Sequence, residues 1–219
     1  MELAALPRRD ADALADLDRL GNRARPLVLA RDRGIELTGG LGALVPGATL
    51  PRGSVVKVSG AGAGATTLAF ELVAAVTGVG EWAGAVDLDG TLGALAAAEA
   101  GVALERFAVV RWVPPARWAT VVAALLDGVS LVLTDVPRGV AFGDARRLTA
   151  RAREREAGLV VHDREGRWPV PAALTLCATS SAWTGVDSEG YLTGRALQVR
   201  VEGRGAAARP ISGELATAV

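Results

Sequence analysis

Five short apolar runs, each separated from the next by a stretch with helical spacing, constrain this chain more than any other feature. Val55-Val56-Lys57-Val58 leads into a glycine-rich segment and then an apolar helical stretch from Leu68 to Val79. Ala83 to Asp89 precedes a predicted helix over 91–100, and Phe107 to Arg111 precedes one near 115–127. Val129 to Asp135 precedes a charged helix over about 143–157, and Gly158 to Val161 closes the series. Strands that are apolar throughout are covered on both faces, and strands that alternate with helices run parallel through crossovers. The pattern therefore predicts an α/β fold with a mainly parallel sheet flanked by helices. Leu174 to Thr179 and Ala196 to Val201 instead alternate apolar and polar residues, with Gly185, Gly190 and Gly194 between them. That alternation predicts an antiparallel C-terminal extension at the sheet edge. After Gly203 the sequence turns polar and reads as a loose tail.

Composition narrows the function classes. The 219 residues suit one domain, and half of them are apolar, enough for a sizeable core. Lys+Arg and Asp+Glu number 24 each, so the formal net charge is zero, which argues against a protein held to nucleic acid by bulk charge. Lys57 is the only lysine. Cys177 is the only cysteine, no apolar signal core follows Met1-Glu2, and no apolar run is long enough to span a membrane. A cytoplasmic protein without membrane contact is expected. No metal set or nucleophile triad can be built around Cys177 and His162, the only histidine. His162 reads as an ordinary strand-end residue, and neither a metal nor a cofactor is expected.

The segment after Val58 carries the most chemistry. A working phosphate loop has the pattern G-x-x-x-x-G-K-[ST] between strand and helix. Its glycines let backbone N–H groups wrap phosphates, its lysine reaches the β and γ phosphates, and its hydroxyl binds Mg²⁺. Here Gly60, Gly62 and Gly64 supply the glycines and Thr66 or Thr67 the hydroxyl, in the right strand-to-helix context. Ala65 stands where the lysine belongs, and the Gly60–Gly64 spacing is one residue short. Removing that positive charge costs transition-state stabilisation of roughly a thousandfold in rate. The loop is thus degenerate, and hydrolysis of ATP is not expected. A glycine- and alanine-rich turn in a generic α/β protein, or a dinucleotide-binding G-x-G-x-x-G, fits the same residues taken alone.

The order of the remaining pieces resembles the RecA recombinase core. Leu50-Pro51-Arg52-Gly53 is similar to the entry to its phosphate loop, and Gly64-Ala65-Thr66-Thr67-Leu68-Ala69 to its Gly-Lys-Thr-Thr-Leu-Ala with the lysine replaced. Ala85-Val86-Asp87-Leu88-Asp89-Gly90 resembles the segment holding the family's catalytic glutamate, with Asp89 at that position. Leu131-Val132-Leu133-Thr134-Asp135 resembles the Walker B strand. The resemblance thus implies that Asp135 is the Mg²⁺-directed acid, and that Asp89 and Asp135 are vestigial. Read singly, Asp87 and Asp89 are strand-end acids and Asp135 a turn residue before Pro137. The segments after the fourth and fifth strands, where the family keeps its DNA-binding loops, are short, and the glutamine at the end of the fifth strand is not evident. The whole order is most similar to ImuA-type proteins of the actinobacterial form, and Ser180-Ser181-Ala182-Trp183 and Gly190-Tyr191-Leu192-Thr193-Gly194-Arg195 resemble their C-terminal stretch.

That resemblance implies residues 1–45 as an N-terminal arm with a short helix near 10–20, residues 46–180 as a RecA-like core, and residues 181–219 as a C-terminal hairpin and tail. It implies a non-catalytic scaffold of the DNA-damage-induced error-prone translesion synthesis assembly. The partner would be ImuB, an inactive Y-family polymerase homologue, with RecA and an error-prone polymerase subunit as further partners and only weak or indirect DNA contact. A partner-activated ATPase of recombinase type and a SulA-like inhibitor of cell division remain as alternatives. Arg147, Arg151 and Arg155 recur at i, i+4 on the charged helix. They read either as a solvated, salt-bridged face or as a contact for DNA phosphates or an acidic partner. The five tryptophans read as packed core by default. Trp168 and Trp183 lie in turn-like segments and are also candidate partner anchors.

Overall fold

The computed structural model describes residues 34–60, 64–186 and 188–218. The predicted helix near 10–20 and Gly62 lie outside the described residues. An opening strand β1 (Gly34–Glu36), a helix α1 (Gly39–Leu44) and β2 (Thr49–Pro51) lead into the sheet, with β1 and β2 paired antiparallel. Then follow β3 (Val55–Gly60), α2 (Ala65–Gly78), β4 (Ala83–Asp87), α3 (Ala94–Glu99), β5 (Phe107–Arg111) and α4 (Pro115–Gly128). The rest is β6 (Leu131–Asp135), α5 (Phe142–Arg155), β7 (Gly158–His162), β8 (Leu174–Val186), β9 (Leu192–Gly203) and β10 (Ile211–Ala218).

Eight strands form one sheet in the order β10-β9-β8-β3-β7-β6-β4-β5. The pairs from β8 to β5 are parallel, and the β8–β9 and β9–β10 pairs are antiparallel. The architecture is thus the expected α/β sheet with an antiparallel extension. The segment after Gly203, expected to be loose, instead forms β10. Its apolar Leu215 is buried and its register with β9 runs from Ile211–Val201 to Ala218–Gly194. Eight backbone pairings on a covered face outweigh the polar composition of the segment. The predicted helix over 91–100 shortens to α3, because Asp87 holds the backbone of residues 91 and 92 in a turn (below).

Alternation along the strands divides the core into two layers. Val56, Val58, Leu131, Leu133 and Val160 face α2, whose Leu68, Leu72, Val73 and Val76 are fully buried. Val55, Val132, Leu159 and Val161 face the other way, onto Trp118, Val122 and Leu126 of α4 and Leu148 and Ala152 of α5. Each such buried side chain contributes about 1.5–3 kcal/mol by leaving water. Every residue of β4, β6 and β7 is buried, so the polar side chains at their carboxyl ends are held by a rigid floor. No helix among the described residues is long and apolar enough to cross a membrane.

Candidate functional site

Two clefts border the sheet, and of the residues the sequence singles out they hold Thr66, Thr67, Asp89, Asp135, His162 and Trp183. The first, about 410 Å³, lies at the carboxyl ends of β4, β6 and β7 and is lined by Asp89, Asp135, Arg138, His162, Asp163, Arg164 and Arg167 among others. Parallel strands end here together, so polar residues at their last positions converge. Asp135 and His162 are register partners on β6 and β7, and His162 Nδ1 lies 3.0 Å from Asp135 Oδ1. Both are buried. With Nδ1 donating to the carboxylate, Nε2 is buried without a hydrogen-bond partner among the described residues. The Leu88 N–H donates to Asp135 Oδ2 at 3.2 Å, and Arg164 Nη2 stands 3.7 Å from Oδ1.

The neighbouring acids are brackets for the loops. Asp87, fully buried, accepts the N–H groups of Thr91 at 2.9 Å and Leu92 at 3.1 Å, and Arg111 Nε approaches it at 3.2 Å. Asp163, also buried, accepts the N–H groups of Arg167 at 2.6 Å and Trp168 at 3.2 Å, while Arg167 Nη1 donates to the Val136 carbonyl at 3.1 Å. Asp89 is exposed on the cleft wall. Trp112, at the rim, is exposed with φ 59°, a left-handed backbone unusual for so bulky a residue. Its ring lies so close to Gly90 that a Cβ there would stand 2.8 Å away.

These residues do not fit a divalent cation of the recombinase type. Both oxygens of Asp135 are engaged and a guanidinium stands beside it, and no group of three His, Cys, Asp or Glu among the described residues is placed to hold a metal. His162, expected as an ordinary loop or strand-end residue, sits at the strand end, buried and bonded to Asp135. It occupies the end of the fifth strand of the parallel series, where the resemblance calls for a glutamine. The pairing was not visible in the sequence because it depends on the β6–β7 register.

The second cleft, about 430 Å³, is lined by Thr66, Thr67, Phe70 and Glu71 of α2, by α3, and by Trp183, Arg195 and Thr217 of the antiparallel extension. Gly60 and Gly64 press against this extension. A Cβ on Gly60 would stand 2.9 Å from the Ala178 carbonyl, and one on Gly64, at φ 124°, would stand 2.9 Å from the Ala178 methyl group. Only glycine tolerates both positions. Ala65 is buried in the α2-side core. Arg195 Nη1 donates to Thr67 Oγ1 at 3.1 Å, and its guanidinium lies 4.8 Å from the centre of the Trp183 ring. Burial lowers the pKa of Arg195 and pushes the Glu71 carboxyl up. Reading β9 with period two would have placed Arg195 on the inward face, so its importance was available in the sequence.

The remaining candidates separate clearly. Arg151 Nε at 2.8 Å and Arg155 Nε at 2.9 Å share the Asp127 carboxylate, and Arg147 pairs with Asp144. The arginine face of α5 is therefore salt-bridged to its own protein. The Arg151 hydrogen bond, foremost, holds Asp127 below the usual carboxylate range. Trp168 is a correction. It is 7 % exposed and packs edge-on to Trp118 with ring centres 6.5 Å apart, so it is core and presents nothing to a partner. Its turn-like sequence misled because Asp163 folds the turn inward. Trp183 is 47 % exposed, and Trp82 and Trp112, expected to pack, are exposed as well.

The family described as the MT3502 N-terminal domain matches residues 43–170, more than half of the chain. No curated protein matches the sequence. The crystal structure of the RadB recombinase is similar with a TM-score of 0.59 at 16% sequence identity, covering 81% of this chain and 94% of that one. At that identity the likeness shows a RecA-like fold.

Proposed function

This chain belongs to the MT3502 N-terminal domain family, and from that premise we propose that it is a non-catalytic, RecA-like adaptor of mutagenic translesion synthesis that binds an inactive Y-family polymerase homologue of the ImuB type. One observation carries the reading. Asp135, the acid that recombinase chemistry would give to a metal, is spent inside the protein on His162, Arg164 and the Leu88 N–H. A methyl group buried at position 65, where the recombinase pattern has lysine, supports it. A fold that keeps its sheet while its polar strand ends bond to one another is suited to contact rather than turnover. RecA and the error-prone polymerase subunit are secondary partners in this reading. DNA contact is weak or indirect, since the α5 arginines are already paired.

The β8–β9 hairpin offers exposed apolar side chains at Trp183, Val186 and Leu192, the kind of surface that a partner covers. The test is co-purification of the tagged full-length chain with the ImuB-type protein. Stable co-elution, weakened by Val186→Asp, is expected. Failure to retain the partner under conditions that hold the rest of the assembly together overturns the reading.

A further inference from the structure

We propose that Arg195, a residue of β9, supplies the cation that Ala65 leaves out, and that the cleft between α2, α3 and the antiparallel extension binds a phosphate group. Leu197, Val199 and Val201 form the inward face of β9 and are almost wholly buried. Period two makes Arg195 the next member of that face. It is opposite Trp183 on β8 and Thr217 on β10, so a guanidinium stands where the strand otherwise carries core residues. Nη1 has Thr67 as acceptor, but Nε and Nη2 are buried with no hydrogen-bond partner among the described residues. No carboxylate among the described residues pairs with this charge. Buried donors without acceptors are rare, and an unpaired charged one is the most costly kind.

The arrangement selects the missing group. Nε and Nη2 form a fork that takes two oxygens of one oxyanion. Thr66 and Thr67 line the same cleft, and α2 begins at Gly64 with no capping side chain and no acid in its first turn. The three terminal oxygens and the charge of a phosphate group suit the guanidinium fork and the threonine hydroxyls together. Of the acids in the cleft, Glu99 is exposed to solvent and Glu71 is half-buried, its carboxyl pushed up by burial. The Trp183 ring lies on the face of the guanidinium, so a phosphate bound in the guanidinium plane alters the surroundings of the indole. Binding here requires neither a metal nor turnover. It does not depend on the adaptor reading, which partner capture tests separately.

The test is titration of the full-length chain with inorganic phosphate, pyrophosphate, ADP and ATP without divalent cations, followed by calorimetry and tryptophan fluorescence. Binding of at least one of these is expected, weakened at least about tenfold in Arg195→Gln and accompanied by a change in emission that Trp183→Phe abolishes. Equal affinity for pyrophosphate and ADP assigns the site to free phosphate groups, whereas preference for ADP assigns it to the phosphate of a nucleotide. No binding to the wild-type chain, or unchanged affinity in a folded Arg195→Gln, overturns the proposal. Should Arg195→Gln not fold, the fluorescence arm decides: binding that leaves Trp183 emission unaltered puts the ligand elsewhere and overturns it as well.

Discussion

At the carboxyl ends of β6 and β7, His162, Arg164 and the Leu88 N–H all turn to the Asp135 carboxylate; on the inner face of β9, Arg195 holds two donors that no group among the described residues accepts. Both groups lie along the same sheet, with Asp135 and His162 buried and Arg195 half-buried. The difference teaches where to look for a ligand. A cluster whose carboxylate is engaged on both oxygens leaves little charge for an incoming ion, even with His162 Nε2 unpartnered among the described residues, whereas an unmatched buried charge is a cost that a ligand can remove. The position that recombinase chemistry would use is of the first kind. The position beside it, on an element outside the parallel part of the sheet, is of the second.

The comparison can be broken or sharpened by mutation, and the largest effect belongs to the shared floor. Trp168→Ala, which empties a site against Trp118, is expected to cost about 3–5 kcal/mol in denaturant unfolding; an unchanged midpoint would return Trp168 to the surface. Next is Asp135→Ala. It strands His162 and the Leu88 N–H in a buried setting, and a loss of about 2–4 kcal/mol is expected. Stability that does not change would mean the strand-end cluster is not self-contained.

A smaller effect is expected at the exposed pairs of α5. The pKa of Asp127 is lowered in the folded state by Arg151 first and then by Arg155. Its contribution is therefore present above the ordinary carboxylate range and is lost as pH falls through the lowered value. The difference in unfolding midpoint between the wild type and Asp127→Asn should shrink toward acid pH and in high salt. A difference independent of both would show that packing, not charge, joins α4 to α5. The smallest effect is expected in the Arg195 cleft. Burial raises the Glu71 pKa, so the folded state holds its proton more tightly than the unfolded one and stability is lost as pH rises through the raised value. Glu71→Gln should stabilise slightly at neutral pH and less at acid pH. The opposite trend would give Glu71 a cationic partner in the cleft.

Much of the sheet was legible in the sequence because strands buried on both faces write themselves as uninterrupted runs such as Leu131-Val132-Leu133. β10 was not, since Ser212, Gly213 and Glu214 carry no strand signal apart from the pairing that β9 offers. Within the site, Asp89, Asp135 and Thr67 could be picked out by order and spacing, but their partners could not. The Asp135–His162 bond depends on the β6–β7 register, and the Arg195–Thr67 bond joins residues 128 positions apart. Trp168 illustrates the converse. Gly166 and Pro169 suggest an exposed turn, and only the buried Asp163 carboxylate, accepting two N–H groups, turns the indole inward.

The central claim is that this RecA-like fold holds its strand-end acid for itself and performs no phosphoryl chemistry. The most direct measurement is ATP hydrolysis by the purified full-length chain at micromolar enzyme with Mg²⁺, with and without single-stranded DNA. The account predicts no release of phosphate above the rate without protein in either condition. Magnesium-dependent turnover that disappears in a folded Asp135→Asn would contradict it.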